Sequence, residues 1–325
     1  MNEGYVYFSY GDIKYLKSVV ASATSLKKFD DKRPIAIVCD KEHRECIEKF
    51  DLQWLFNSVE LLEPDHCSIV GFKHNLHKYL VFDKNLFLDS DMIWCKDPDP
   101  LWKTFSAYNY TATGNLTSDV FFGSHKGIKI IKDILLNKRR KTLRKFGLTY
   151  LSRVQAGMVF AQDYHITKEV NDLAKQYLSK IDQTHFKSRK DEVGRNEESC
   201  EWSLAMAMSK LKIPVTPWHC GQSSPQVDYV KEFVTHDENF DNVVCHYCTN
   251  LFVENLKGIR NKLLRESIRF VATLLPGKGD YVDMTPYCLH FGFYHEKEAF
   301  YEYSDQVWDE LTNSIPFDHE STAVL

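Results

Sequence analysis

The chain has 325 residues, 43% of them apolar and 26% charged, with a net charge of −4. This is the composition of a soluble globular protein long enough for one large domain or two ordinary ones. The weak negative balance excludes the global basic field of a nucleic-acid binder, so no nucleic-acid partner is expected. Met1-Asn2-Glu3-Gly4 lacks a basic and then apolar leader, so no signal peptide is expected. The apolar run nearest to a membrane span, Ser267 to Leu275, is too short and contains Arg269. Nine scattered cysteines, an odd set, point to reduced thiols and a cytoplasmic location. Cys245-His246-Tyr247-Cys248 has zinc-like spacing but no second pair to complete a site.

Tyr5 to Tyr10 is β-branched and aromatic, which predicts a strand, and Gly11-Asp12 breaks it. Ile13 to Phe29 carries apolar residues at helical spacing. Pro34 to Cys39 is a fully apolar strand ending at Asp40; a helix over Lys41 to Phe50 and a short strand over Ser58 to Leu62 follow. Alternating strands and helices with fully apolar strands predict an α/β fold, a mostly parallel central sheet flanked by helices. A helix is expected over Phe72 to Phe82, and Tyr110 to Thr113 reads as an edge strand. Lys126 to Lys145 and Lys257 to Leu275 read as basic amphipathic helices. Each is either a solvated face or a patch for an anionic acceptor or peripheral membrane contact. Val154 to Phe160 is a strand that opens near small residues, Ile166 to Ile181 a helix, and Arg189 to Glu198 a polar loop. Glu198 to Leu211 is a helix with Glu197, Glu198 and Glu201 at its start, where the helix dipole favours acids anyway. Asn242 to Tyr247 is a strand, with His246 facing away from Cys245 and Tyr247. From Pro276 onward, glycines and aromatics suggest an irregular extension without chemistry.

The chemistry centres on Leu86-Phe87-Leu88-Asp89-Ser90-Asp91-Met92-Ile93. An apolar strand runs into two aspartates two residues apart, which point to one face. Ionising both is costly unless a cation sits between them, and such oxygen ligands suit Mn²⁺ or Mg²⁺. An acidic loop after a strand is the alternative. Asp89 and Asp91, like Ser9-Tyr10 and Asp40, fall at carboxyl ends of strands, where sheets of this kind bind ligands.

This arrangement resembles the glycogenin-like family of retaining glycosyltransferases, which have the GT-A (Rossmann-like nucleotide-sugar-binding) fold. The motif with Asp97-Pro98 and Leu101-Trp102 after it carries the resemblance. Lys73 stands sixteen residues before Asp89, where the family places a lysine, and Gln155-Ala156-Gly157 stands for its Asn-Ser-Gly strand. The resemblance covers about residues 5 to 250. It implies a catalytic domain over 1–255 and a helical or irregular C-terminal extension, 256–325, packed on it. It also implies transfer of a hexose, glucose or galactose, from a UDP-sugar to a hydroxyl acceptor with retention. The metal, Mn²⁺, would be held by Asp89, Asp91 and a late histidine met by His246. Ser9 would bond the base, Tyr10 or Tyr15 would stack on it, Lys73 would face the phosphates and Ser90 the ribose. Gln155, Ala156 and Gly157 would line the sugar pocket, and Glu198 or Glu201 would bind sugar hydroxyls. The Gly and Lys-Pro that follow the family's metal histidine are replaced by Tyr247-Cys248-Thr249-Asn250 after His246. Two alternatives are a haloacid-dehalogenase-type phosphohydrolase and a non-catalytic nucleotide-sugar or glycan-binding protein. The acceptor, a glycan, a lipid-linked sugar or a protein hydroxyl, is not named by the sequence.

Overall fold

The computed structural model describes residues 2–116, 118, 122–123, 129–190, 197–218, 220–248, 281–292 and 296–313, together with 261, 263, 264, 267 and 270. Strand β1 (Glu3–Ser9) is central, as its apolar run requires. Tyr5 and Tyr7 face one core and Val6 the other, all fully buried. β1 pairs in parallel with β2 (Ile35–Cys39) and β4 (Lys84–Leu88), and β2 pairs in parallel with β3 (Ser58–Leu61). Beyond β4 the sheet turns antiparallel. β7 (Arg153–Ala161) pairs with β4 and with β6 (Tyr110–Asn115), and the short β8 (Thr216–Pro217) adds in parallel to β6. The order is therefore β3-β2-β1-β4-β7-β6-β8.

Both faces are covered, which is why the central strands β1 and β2 are mainly apolar and buried. On one face lie α1 (Ile13–Lys27) and α9 (Glu298–Asn313); on the other, α7 (Tyr164–Leu178) and α8 (Glu201–Lys210). Turn residues at strand ends start the helices. The Asp12 carboxylate accepts the Lys14 amide, that of Asp40 the His43 amide at the head of α2 (Lys41–Lys49), and that of Asp163 the Ile166 amide. The buried polar ends of Trp102 and Tyr5 are satisfied: Trp102 Nε1 donates to Tyr5 Oη at 2.8 Å, and Tyr5 Oη donates to Asp30 at 2.6 Å.

A second layer grows from the aspartate motif. β5 (Met92–Trp94) follows it directly and pairs antiparallel with β13 (Cys288–His290), which pairs in parallel with β9 (Gln226–Asp228). β10 (Val234–His236), β11 (Val243–Cys248) and β12 (Tyr281–Met284) form an outer antiparallel sheet.

The mostly parallel sheet flanked by helices is as expected, and four local expectations are corrected. β6 is not an edge strand, because β8 pairs along its outer side. The helix over Phe72 to Phe82 is only α3 (Ile69–Lys73) and a single 3₁₀ turn at Leu76–Lys78. There the Asn75 side-chain amide donates to the Gly71 carbonyl at 2.7 Å, a local bond that competes with helix continuation. The basic helix from Lys126 splits into α5 (Lys129–Leu135) and α6 (Lys138–Phe146) around Asn137, whose φ of 49° is left-handed. The stretch after Pro276 holds β12, β13 and α9. Most of the second basic helix, Lys257 to Leu275, and of the 189–198 loop lies outside the described residues.

Candidate active site

β4 delivers Asp89 and Asp91 at its carboxyl end, and the backbone holds them from two sides. The Asp89 amide donates to the Gly157 carbonyl on β7 at 2.9 Å, and the Phe291 amide after β13 donates to the Asp91 carbonyl at 2.8 Å. Between the two carboxylates stands the imidazole of His290, the last residue of β13. Its Nε2 lies 3.6 Å from Asp89 Oδ2 and 3.5 Å from Asp91 Oδ1. Oxygen atoms of both aspartates and a nitrogen of His290 all lie within 4.8 Å of one another. Asp228, at the end of β9, meets the other ring nitrogen: Nδ1 donates to its Oδ1 at 2.7 Å. A carboxylate on Nδ1 fixes the ring and leaves Nε2 to face the aspartates.

Two lysines complete the charge balance. Lys73, buried at the end of α3, donates to Asp89 and to the Ala156 carbonyl. Lys297, just before α9, donates to Asp91 Oδ2 at 2.6 Å. Burial pushes the Asp89 carboxyl up, but the Lys73 charge and the His290 bond outweigh it and hold it below its ordinary value. Burial is likewise overcome at Asp91, where Lys297 and His290 hold the carboxyl well below the usual range. Burial alone would depress His290; Asp91, Asp228 and Asp89 around it raise it well above an ordinary imidazole.

The donor set fits a hard divalent cation. Two carboxylates and one imidazole nitrogen converge, and a third carboxylate orients the imidazole from behind.

His246, expected as the third ligand, is not at this cluster. It lies exposed on β11 in the outer sheet, with its Nδ1 against the Asp283 carboxylate. Strand alternation buries Cys245 and turns His246 outward. His290 stands at the cluster instead, so the segment expected to carry no chemistry brings both a histidine and Lys297 to the two aspartates. In the sequence, Gly292 and Lys297 follow His290, but Glu298 stands after the lysine where the expected Lys-Pro would need a proline.

Gln155, Ala156 and Gly157 are brought to the cluster on β7. The Gln155 side chain is buried; its Oε1 accepts the Gly157 amide at 2.8 Å and a bond from Gln226, and its Nε2 lies 2.8 Å from His290 Nδ1. Gln226 and Thr113, neither singled out above, close this network: Thr113 Oγ1 donates to the Gln155 carbonyl at 2.6 Å. Ser90 is half-buried between the aspartates. Tyr10 and Tyr15 stack at 6.4 Å beyond the end of β1, and Tyr10 Oη donates to Glu197 at 2.9 Å. Ser9 is a correction. Its hydroxyl is buried and engaged with His43 Nδ1 at 2.8 Å, so it does not face a ligand. Of the two glutamates, Glu201 opens α8 and accepts a bond from Ser199 Oγ at 3.5 Å, whereas Glu198 is engaged by Ser188 Oγ at 2.6 Å and the Arg189 amide at 2.9 Å.

No protein-family profile matches the sequence, and no curated protein matches it. Solved structures do match. An active-site mutant of LgtC aligns with 97% of this chain and 98% of its own at a TM-score of 0.51 and 10% identity. The galactosyltransferase LgtC, in complex with donor and acceptor sugar analogs, covers 99% of this chain and 97% of its own at 0.49 and 11% identity. The glycosyltransferase GlyE of Streptococcus pneumoniae TIGR4 covers 96% of this chain and 63% of its own at 0.46 and 14% identity. At such identities the likeness speaks to architecture: the chain has the GT-A fold.

Proposed function

We propose that this protein is a metal-dependent glycosyltransferase of the glycogenin-like type. It moves a hexose, glucose or galactose, from a UDP-sugar to a hydroxyl acceptor on a glycan, with retention of configuration. The observation that carries this reading is the convergence of Asp89, Asp91 and His290 at the carboxyl end of β4, on a GT-A fold. Mn²⁺, or Mg²⁺ in its place, would supply Lewis-acid stabilisation of the charge on the departing diphosphate. In the reaction the bond from the anomeric carbon to the diphosphate oxygen breaks and its electron pair leaves with the UDP. The acceptor oxygen then bonds that carbon, and its proton passes to the departing diphosphate oxygen.

The chain's own residues supply the rest. Lys73 and Lys297, now paired with the two aspartates, are, among the described residues, the cations that touch the cluster where diphosphate charge would develop. Tyr10 and Tyr15 offer stacked rings for the base, and Ser90 faces the ribose. Gln155, Ala156 and Gly157 line the sugar subsite, with Glu201 placed to bind sugar hydroxyls. The GT-A architecture gives the phosphohydrolase alternative no support.

The test is UDP release from a panel of UDP-sugars, with and without Mn²⁺, by the wild type and by Asp91→Ala. Metal-dependent release from one donor, lost in the variant, is the expected result. No release from any donor, with no thermal stabilisation by UDP and Mn²⁺ together, overturns the proposal. Stabilisation without release marks a binding protein instead.

A further inference from the structure

Helices α5 and α6 have no role in the site described above, and their surface is unusual. Residues 129–146 contain eight lysines and arginines against a single acid, Asp133. That acid is buried and paired with Lys138 at 2.7 Å, so it does not face outward. Arg140, Lys141, Arg144 and Lys145 are exposed. On α5 and just after it, aliphatic side chains are exposed around Lys132, itself exposed: Ile131 is 52% exposed, Ile134 50%, Leu135 80% and Leu136 45%. Residues 131, 134 and 135 are three and four apart, so they form one face of α5. Large aliphatic side chains exposed side by side mark a contact surface rather than random surface.

The occupant follows from charge and shape. Protruding aliphatic tips flanked by lysine and arginine suit the boundary between anionic headgroups and acyl chains, where the tips enter and the cations meet lipid phosphates. The topology sets where such a surface lies. β7 runs antiparallel to β4, and Gly157 stands opposite Asp89, so the start of β7 at Arg153 lies beyond the carboxyl end of β4. β6 ends at Asn115, opposite Arg153. The chain between these strands, which carries α5 and α6, thus leaves and rejoins the sheet at the edge that holds the aspartates.

We propose that the α5–α6 helix pair docks the protein on an anionic lipid bilayer, with the aspartate-bearing edge of the sheet held near that surface. The proposal stands independently of the catalytic reading, because it is tested by binding without donor or metal. The full chain is sedimented with phosphatidylcholine vesicles and with vesicles containing phosphatidylglycerol. The wild type is expected to bind the anionic vesicles selectively and to be released by salt. Replacing Arg140, Lys141, Arg144 and Lys145 by Gln should weaken this binding roughly a hundred-fold or more. Leu135→Asp alone should weaken it at least about ten-fold. All five positions are exposed, and unchanged thermal melts would show that the variants fold. Absence of selective binding by the wild type overturns the proposal, even if the chain then captures an acidic protein. Equal binding by wild type and variants overturns it as well, because it would place the lipid contact elsewhere on the chain.

Discussion

His290 is an imidazole held among three carboxylates, and its neighbours decide how it behaves with and without a cation. His290→Ala should lower metal-dependent turnover by more than about a hundred-fold, whereas His246→Ala should leave it within about two-fold. Comparable losses in both variants would refute the ligand assignment. Asp228→Asn keeps the size of the group behind the ring and removes its charge; it should weaken Mn²⁺ binding by about 10- to 100-fold in calorimetry. The pH dependence follows from the direction of the His290 shift. A raised imidazole stabilises the metal-free fold fully below the ordinary value of about 6.5, and this contribution is lost as pH rises through the raised value. The melting temperature of the metal-free protein should therefore fall as pH increases above that point, and less so in His290→Gln. Ligation needs Nε2 without its proton, so apparent Mn²⁺ affinity should rise over the same window.

Among the elements, β6 and β7 make the most demanding contact. Their register slips between Ala112 and Gly114, and a Cβ on Gly114 would stand 2.0 Å from the Arg153 carbonyl oxygen. Backbone cannot yield as a flexible side chain can. Gly114→Ala is expected to destabilise the fold by about 1–3 kcal/mol in urea denaturation, with an unchanged m-value. An unshifted midpoint would show that the strands part without cost. The strands themselves were legible because burial on both faces writes itself as an unbroken apolar run, as in Ile35–Cys39 and 86–88. The broken helix after Lys73 was not, because Asn75 ends it through one side-chain bond that periodicity does not register. Nor was the interior position of β6, whose outer neighbour is two residues long and about a hundred positions away. At the site, Asp89 and Asp91 were legible because they stand two apart at the end of one apolar strand, whereas Lys73 followed only from the resemblance. His290 could not be placed by spacing, since it reaches the aspartates only through pairing of β13 with β5 and β9.

At the scale of the molecule, the last described segment fastens the first. α9 packs on α1. Its Phe300, fully buried, stacks on Phe291 at 5.0 Å, and its Trp308 meets Phe50 edge-on at 5.3 Å. Lys17 and Asp305 pair across the two helices at 2.7 Å. Phe300→Ala should cost about 3–5 kcal/mol by chemical denaturation. It should also loosen Mn²⁺ binding, because the Phe291 amide beside it holds the Asp91 carbonyl; intact metal affinity in a destabilised variant would separate the two roles. The distance along the chain between Asp91 and its partners His290 and Lys297 also has a meaning in time. A ribosome releases the aspartates about two hundred residues before it releases the histidine and lysine that meet them. During that interval the two carboxylates wait on a partly built sheet, without the strand that completes their cluster. A message broken or stalled anywhere in that interval yields a protein with the motif but without His290 and Lys297, so a complete cluster reports that synthesis reached β13 and beyond.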